Sequence, residues 1–373
     1  MDYDDRDLSA SFPKREGLAP FDRMVHDNKH IFIGPVPIHE KRVHELLGEF
    51  PATVVIGELG SYWTLPIALR APRGRRPLLV QIGVGPALLE SVDTAPCGPG
   101  LLPPANDEER ARYDEMRAQT RAMFAGMQQH AEDVFGSIGV TLPGELFNAL
   151  ATVPDHLLQL TVPGFEYPRS DAPESFRFIG PMPSLPDTDY ELPEWWADLS
   201  SGRPVVVVTQ GAVDYDDPSH LLVPTIRALA DTDVTVVVAA GRSDGPDLVL
   251  AEMDGEIPAH VHLAGFVPFE QLLPLTDVLV TNADYGGVQA ALRHGVPLVV
   301  GGETEDKPEV AARVEWSGTG ISLRTRRPEV AAVRTAVDKV LNDPQYRERA
   351  RELQSQFGEY RPFGIIAEVV ESA

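Results

Sequence analysis

Six short apolar runs recur in the second half of the chain, and they constrain the fold more than any other feature. V-V-V-V begins at Val205, T-V-V-V-A-A at Thr235, H-L-A-G-F at His262, D-V-L-V-T at Asp277, P-L-V-V at Pro297 and G-I-S-L at Gly320. A strand that is apolar at nearly every position is covered on both faces, which is the condition of a parallel sheet between helices. Helical patterns fall between the runs, at 219–230, 269–275, 286–294, 307–316 and 327–341. This alternation predicts an α/β, doubly wound parallel sheet. Asp343 followed by Pro344 reads as an N-cap with proline at the first helical position, opening the C-terminal helices.

The first half repeats the unit less cleanly. A helix fits 38–47, a strand starts at Thr53, a helix fits 60–69, and P-L-L-V-Q-I runs from Pro77. The first thirty residues read as an irregular acidic lead-in. A proline- and glycine-rich loop spans 92–104, and a loop of that length in a compact domain is usually functional. Asn106 with Glu109 three residues on forms a capping box. The helix it opens carries Tyr113, Met116, Thr120, Met123, Met127, Ala131 and Val134 at helical spacing. The stripe reads as core packing, with a sharper reading in which part of it lines a pocket for an apolar substrate. Strands follow from His156 and Phe176. The segment 181–193 is proline-rich and acidic, so it reads as a linker. The chain thus divides into an N-terminal domain over 1–180, a linker over 181–193, a C-terminal domain over 194–360 and a last helix over 361–373.

The chain has 373 residues, a length for two domains, and 43% of them are apolar. Its 56 acidic and 32 basic side chains leave a formal charge of −24. Such a surface repels nucleic acid and anionic membranes. Cys97 is the only cysteine and suits a reducing compartment. No apolar run is long enough to span a bilayer, and the acidic start lacks the pattern of a secretion signal, so the expectation is a cytoplasmic protein.

In a doubly wound sheet, ligands bind at the carboxyl ends of the strands. Small or polar residues recur there: Thr209-Gln210-Gly211, Gly241-Arg242, Phe266-Val267-Pro268, the turn from Asn282 through Asp284, Tyr285 and Gly286 to Gly287, and the stretch from Glu303 to Asp306 and Lys307. Their recurrence after successive strands predicts one large ligand lying across the crevice, with helix N-termini behind it that favour anions. No histidine or cysteine cluster has zinc-site spacing, and no metal is expected. His26, His30, His39 and His44 read as surface or loop residues, and His130 sits beside the methionine stripe.

The segment from Gly265 to Val314, with G-F-V-P-F, T-N-A-D-Y-G-G, H-G-V-P-L-V-V and E-D-K-P in order, resembles the donor site of the UDP-glycosyltransferase superfamily, closest to its bacterial macrolide and natural-product branch. The resemblance extends more loosely over the chain, including D-T-A-P at Asp93 and E-Y-P-R at Glu166. It implies the GT-B fold, two Rossmann-like domains facing across a cleft. It also implies inverting transfer of a hexose or deoxyhexose from a UDP- or dTDP-sugar to a hydroxyl of a small apolar acceptor, with no cofactor and no required divalent cation. By position, the resemblance puts Phe266 and Val267 at the base. Gln210, Gly211 and Arg242 fall near the phosphates and ribose, and Asn282 at the pyrophosphate. Tyr285, Gly286 and Gly287 form the turn into the helix, while Asp306 and Lys307 stand at the sugar hydroxyls.

Two departures stand out. Ala283-Asp284 occupies a turn where the family usually has small residues, often Gly-Gly. Two unit charges about 4 Å apart repel by about 4 kcal/mol at an effective dielectric of 20, and Asp284 is itself a good N-cap. The family's opening unit, whose Gly-His-x-x-Pro-type turn carries the base that deprotonates the acceptor, has no counterpart in the sequence. The expectation is therefore an incomplete N-terminal domain, lacking roughly 60 residues and exposing a sheet edge, with the catalytic residue unassigned. A second reading follows, a catalytically impaired homologue acting as a binding or auxiliary protein. A third, a nucleotide-sugar epimerase on the same fold, has no second carboxylate set behind it. The exposed sheet edge would offer a pairing surface for a dimer or an auxiliary partner, and the acidic surface does not decide between them.

Overall fold

The computed structural model describes residues 12, 14, 17–183, 190–211 and 217–373. Helix α1 (Pro20–Asp27) runs into a π-helical turn (Asn28–Ile33) and then α2 (Val36–Glu49). Residues 20–33 are thus helical, not irregular. Pro20 opens the first turn, where its missing N–H is no loss. The rest of the lead-in lies outside the described residues, apart from Phe12, Lys14 and 17–19.

Strand β1 (Val54–Glu58), helix α3 (Leu65–Arg70), β2 (Leu78–Gly83), α4 (Asp107–Ser137), α5 (Leu146–Thr152), β3 (His156–Gln159) and β4 (Phe176–Phe178) build the first layered unit. Its four strands pair in parallel in chain order. Among the described residues the outer edge of β1 has no partner strand, and Ile56 on it is 48% exposed. Asn106 caps α4 by accepting from the Glu109 amide at 2.9 Å, and the Glu109 carboxylate accepts from the Ala105 amide at 2.8 Å. The stripe on this 31-residue helix is buried at Tyr113, Met127 and Ala131. Met123, however, is 59% exposed, so the stripe is broken rather than continuous.

The second unit holds β5 (Val205–Thr209), α6 (Leu222–Leu229), β6 (Thr235–Ala239), α7 (Gly245–Glu252), β7 (Val261–Ala264), α8 (Phe269–Leu272), β8 (Val278–Thr281), α9 (Tyr285–Arg293), β9 (Leu298–Val300), α10 (Lys307–Trp316), β10 (Gly320–Ser322), α11 (Val330–Asn342) and α12 (Pro344–Gly358). The strand order is β10-β9-β8-β5-β6-β7, all parallel. This is the six-stranded nucleotide-binding order, with its reversal between β5 and β8. The valine runs are buried on both faces, against α9, α10 and α12 on one side and α6 and α11 on the other.

The two units are interlocked. Val162 and Phe165, just past β3, sit in the core of the second unit. The last helix, α13 (Pro362–Glu371), returns to the first, where Ile365, Ile366 and Val369 cover Leu78, Val80, Leu158 and Ile179. Within the expected linker, 184–189 lie outside the described residues, and a short 3₁₀ turn (Glu194–Ser200) leads into β5. Among the described residues, no helix is long and apolar enough to cross a membrane.

Candidate functional site

The reversal of strand order opens a crevice between the carboxyl ends of β5 and β8. Gln210 and Gly211 follow β5, while Asn282, Ala283 and Asp284 follow β8. Asn282 is buried and staples the two ends together: its Nδ2 donates to the Gln210 carbonyl, and its Oδ1 accepts from the Asp284 amide at 3.3 Å. Gly211 has φ +73° and passes close to this pair. A Cβ there would lie 3.3 Å from Asn282 Oδ1 and 3.4 Å from Asp284 Cβ. Ala283 is fully buried at φ +66°, a left-handed conformation that glycine adopts without strain.

Asp284 is the N-cap of α9. Its Oδ2 accepts from the Gly287 amide at 2.9 Å and lies 3.5 Å and 3.4 Å from where side chains on Gly286 and Gly287 would begin. The carboxylate therefore occupies the position where an anion would meet this helix. The turn's other polar groups face elsewhere. Gln210 is buried, and its Oε1 accepts from the Leu221 and Leu222 amides at 3.0 and 3.1 Å, so it closes the start of α6. Tyr285 is buried too. Its hydroxyl donates to the Leu160 carbonyl and accepts from Gln159 Nε2, both at 3.3 Å, so it bridges to the first unit.

At the end of β7, Phe266 is 62% exposed while Val267 is half-buried against the core. The Phe266 carbonyl accepts from the Tyr190 hydroxyl at 3.1 Å. Arg242 donates from Nη2 to Asp244 at 2.8 Å. Asp306 stands at the N-cap position of α10 without a side-chain capping bond, and its Oδ2 lies 3.4 Å from where a Cβ on Gly85 would be, so it faces the first unit directly. Burial, together with Glu305 and Asp284, raises its pKa against the opposing pull of Lys307. Lys307 is buried, with its ammonium on the Glu305 carboxylate. The crevice thus brings Gly211, Asn282 and Asp284 together. Asp284 also reaches Asp306 electrostatically, while Arg242 and Phe266 stand at the ends of the next strands.

Other residues at the junction were not singled out individually from the sequence. The fully buried Glu166 carboxylate accepts from Arg313 Nη2 at 2.7 Å, from Arg169 Nη1 at 3.1 Å and from the Ala87 and Tyr167 amides at 3.1 and 2.9 Å. Burial alone would raise its pKa, but Arg313 and Arg169 hold it below the usual value. Arg313 also donates to Glu309 at 2.9 Å and lies over the Tyr167 ring at 4.3 Å. The signal available was the charged pair at i,i+4 inside the apolar stretch of α10.

Three of the histidines, His26, His30 and His130, cluster in the first unit. His26 and His30 have ring centroids 4.5 Å apart, and His130 lies 6.3 Å from His30. His130 Nε2 is 3.1 Å from the Lys29 carbonyl oxygen. Among the described residues, no group of three histidine, cysteine or acidic side chains is placed to hold a metal ion.

Residues 224–371 match the family described as erythromycin biosynthesis protein CIII-like, C-terminal domain. The chain is 38% identical over 364 residues to UDP-glycosyltransferase 2 of Phaeomoniella chlamydospora, covering 95% of this chain and 80% of that protein. It is 38% identical over 366 residues to 4'-demethylrebeccamycin synthase of Lentzea aerocolonigenes, covering 95% of this chain and 82% of that one. The crystal structure of CalG4, the calicheamicin glycosyltransferase, matches with a TM-score of 0.70 at 21% identity, over 99% of this chain and 84% of that one, and shares its GT-B fold.

Proposed function

The chain belongs to the UDP-glycosyltransferase superfamily, in its macrolide-type branch, and on that premise we propose that it moves a hexosyl or deoxyhexosyl group from a UDP- or dTDP-sugar to a hydroxyl of a small apolar acceptor. The acceptor would be of natural-product or lipid type; one relative, 4'-demethylrebeccamycin synthase, carries the name of a natural product. The reaction would be a single displacement with inversion. The acceptor oxygen bonds to the anomeric carbon, the bond to the diphosphate breaks, and a base takes the hydroxyl proton. We assign no residue to that base.

The observation that carries this reading is the crevice at the β5–β8 reversal, framed by Gly211, Asn282 and Asp284 and facing the first unit through Asp306. Phe266 offers an exposed ring on which a pyrimidine could lie. The leaving diphosphate would be stabilised by the amides at the start of α9. Asp284 then has to leave them. Giving up an N-cap costs about 1 kcal/mol, whereas holding a carboxylate about 4 Å from a phosphate costs about 4 kcal/mol. Rotation outward is the cheaper route, so the donor displaces the carboxylate and does not share the turn with it. Asp306 would accept hydrogen bonds from sugar hydroxyls, and Lys307, held by Glu305, would shape the same wall.

The non-enzymatic reading is not favoured, because relatives named as UDP-glycosyl- or UDP-glucosyltransferases match almost the whole chain. The test is calorimetric titration with UDP and dTDP, followed by glycosylation of a panel of apolar alcohols and phenols. Micromolar binding with product formation is expected. Absence of nucleotide binding at millimolar concentration would remove the proposal.

A further inference from the structure

The loop 92–104 is tied to both units. At one end the Ser91 hydroxyl donates to Asp171 at 2.5 Å, and the Val92 amide donates to the same carboxylate at 3.0 Å. The Ser170 amide donates to Asp93 at 2.6 Å, and Arg117 donates to the Ser91 carbonyl at 2.8 Å. At the other end the Leu102 carbonyl accepts from the Tyr113 hydroxyl at 3.0 Å. All of these anchors belong to the first unit. The middle of the loop belongs to the second: Glu309 Oε1 accepts from the Gly98 amide at 2.7 Å and from the Gly100 amide at 3.0 Å.

Glu309 stands in the first turn of α10, three residues after Asp306. Its other oxygen is held by Arg313 at 2.9 Å, so the carboxylate is fixed on both sides. Gly100, at φ +64°, passes so close to this turn that a Cβ would lie 2.4 Å from the Pro308 carbonyl oxygen. Only glycine fits there, on backbone conformation and on space together. The loop therefore fixes where the first turn of α10 sits relative to the first unit.

We propose that Glu309 and the strap 98–101 are positioning elements for the donor sugar: they set the start of α10, and with it the Asp306 carboxylate, against the first unit. This rests on the reading of Asp306 as a sugar-hydroxyl acceptor. A misplacement of about 1 Å in a positioning group can cost about a hundredfold in rate, and a first helical turn moves as one body. The strap thus governs recognition of the hexose, while the nucleotide half of the donor is held by turns it does not touch.

The test titrates the full chain and its Gly100→Ala and Glu309→Gln variants with UDP, dTDP, UDP-glucose and dTDP-glucose, with a thermal melt of each. In the unaltered chain the glucose conjugate should bind at least about tenfold tighter than the bare nucleotide. In Gly100→Ala that increment should disappear, with bare-nucleotide affinity kept within about twofold. Glu309→Gln should lose part of the increment, and it serves alone if Gly100→Ala does not fold. An increment unchanged in the folded variants overturns the proposal and leaves the family reading intact. An unaltered chain that binds bare nucleotide with no gain from the sugar also overturns it. If that chain binds no nucleotide at all, the functional reading fails first and the proposal falls with it.

Discussion

The Asp284 carboxylate and the Gly287 amide are joined by a 2.9 Å hydrogen bond that closes the first turn of α9 from within. A donor diphosphate competes with this bond. Asp284→Asn isolates the charge, because asparagine caps a helix about as well as aspartate. The variant should keep the melting temperature and bind UDP or dTDP about tenfold more tightly. The gap should narrow between about 0.05 M and about 0.5 M salt, as the Debye length falls from about 14 Å to about 4 Å. Equal affinity at low salt would mean that the carboxylate does not oppose the donor.

Gln210 separates stability from binding in the opposite sense. Its amide oxygen serves the Leu221 and Leu222 amides, so Gln210→Ala strands two buried donors. The expected loss is about 1–3 kcal/mol of stability, read as a lower melting temperature. Nucleotide affinity of the folded fraction should stay within about twofold. A large loss of affinity with no change in melting would return Gln210 to the donor site.

Arg313 lies between two buried carboxylates. Arg313→Leu leaves Glu309 in the interior without its cation and Glu166 with Arg169 alone, which should cost about 3–5 kcal/mol. Adding Glu166→Gln should recover part of that loss, because the charge most deeply buried is then gone. Thermal melts of the single and double variants check the sign of the coupling.

The histidine cluster predicts a pH dependence. Burial, with added repulsion from His26, His130, Lys14 and Lys29, holds the His30 pKa below its ordinary value. Protonation therefore favours the unfolded chain. The stability tied to neutral His30 is complete above about pH 6.5 and is lost as the pH falls through its lower folded value. Melting temperature should drop as the pH falls below about 6.5, and His30→Gln should flatten that drop. His156 and His262 are also lowered by burial and contribute the remaining slope.

The second sheet was legible because its apolar runs are short and continuous, with helical patterns between most of them, and each became a strand. Helix α7 was missed because Gly245-Pro246 reads as a turn, whereas the proline in fact stands in the first helical turn. The π-helical turn at Asn28–Ile33 has no sequence signature that hydrophobic periodicity could detect. At the site, the N-cap role of Asp284 was readable because the cap and its amide lie three residues apart. The inward role of Gln210 was not, since its partners lie 11 and 12 residues on, across a segment with no periodic pattern. Glu166 and Arg313 are 147 positions apart, and only the folded chain brings them together.

The return of α13 to the first sheet has a mechanical consequence. The chain passes between the units near Gly180 and again near Tyr360, and these passages touch: a Cβ on Gly180 would lie 2.5 Å from Tyr360 Cβ. Pro181, Pro183, Tyr360, Arg361 and Pro362 share the wall of one small groove there. Two adjacent passages alone would leave rotation about an axis through them, but the Glu166–Arg313 pair and the bonds from Gly98 and Gly100 to Glu309 tie the units at further points. With those ties in place the two halves act as one body, and the short separation of Gly85 and Asp306 is set by the folded chain and not by a swing of one half against the other.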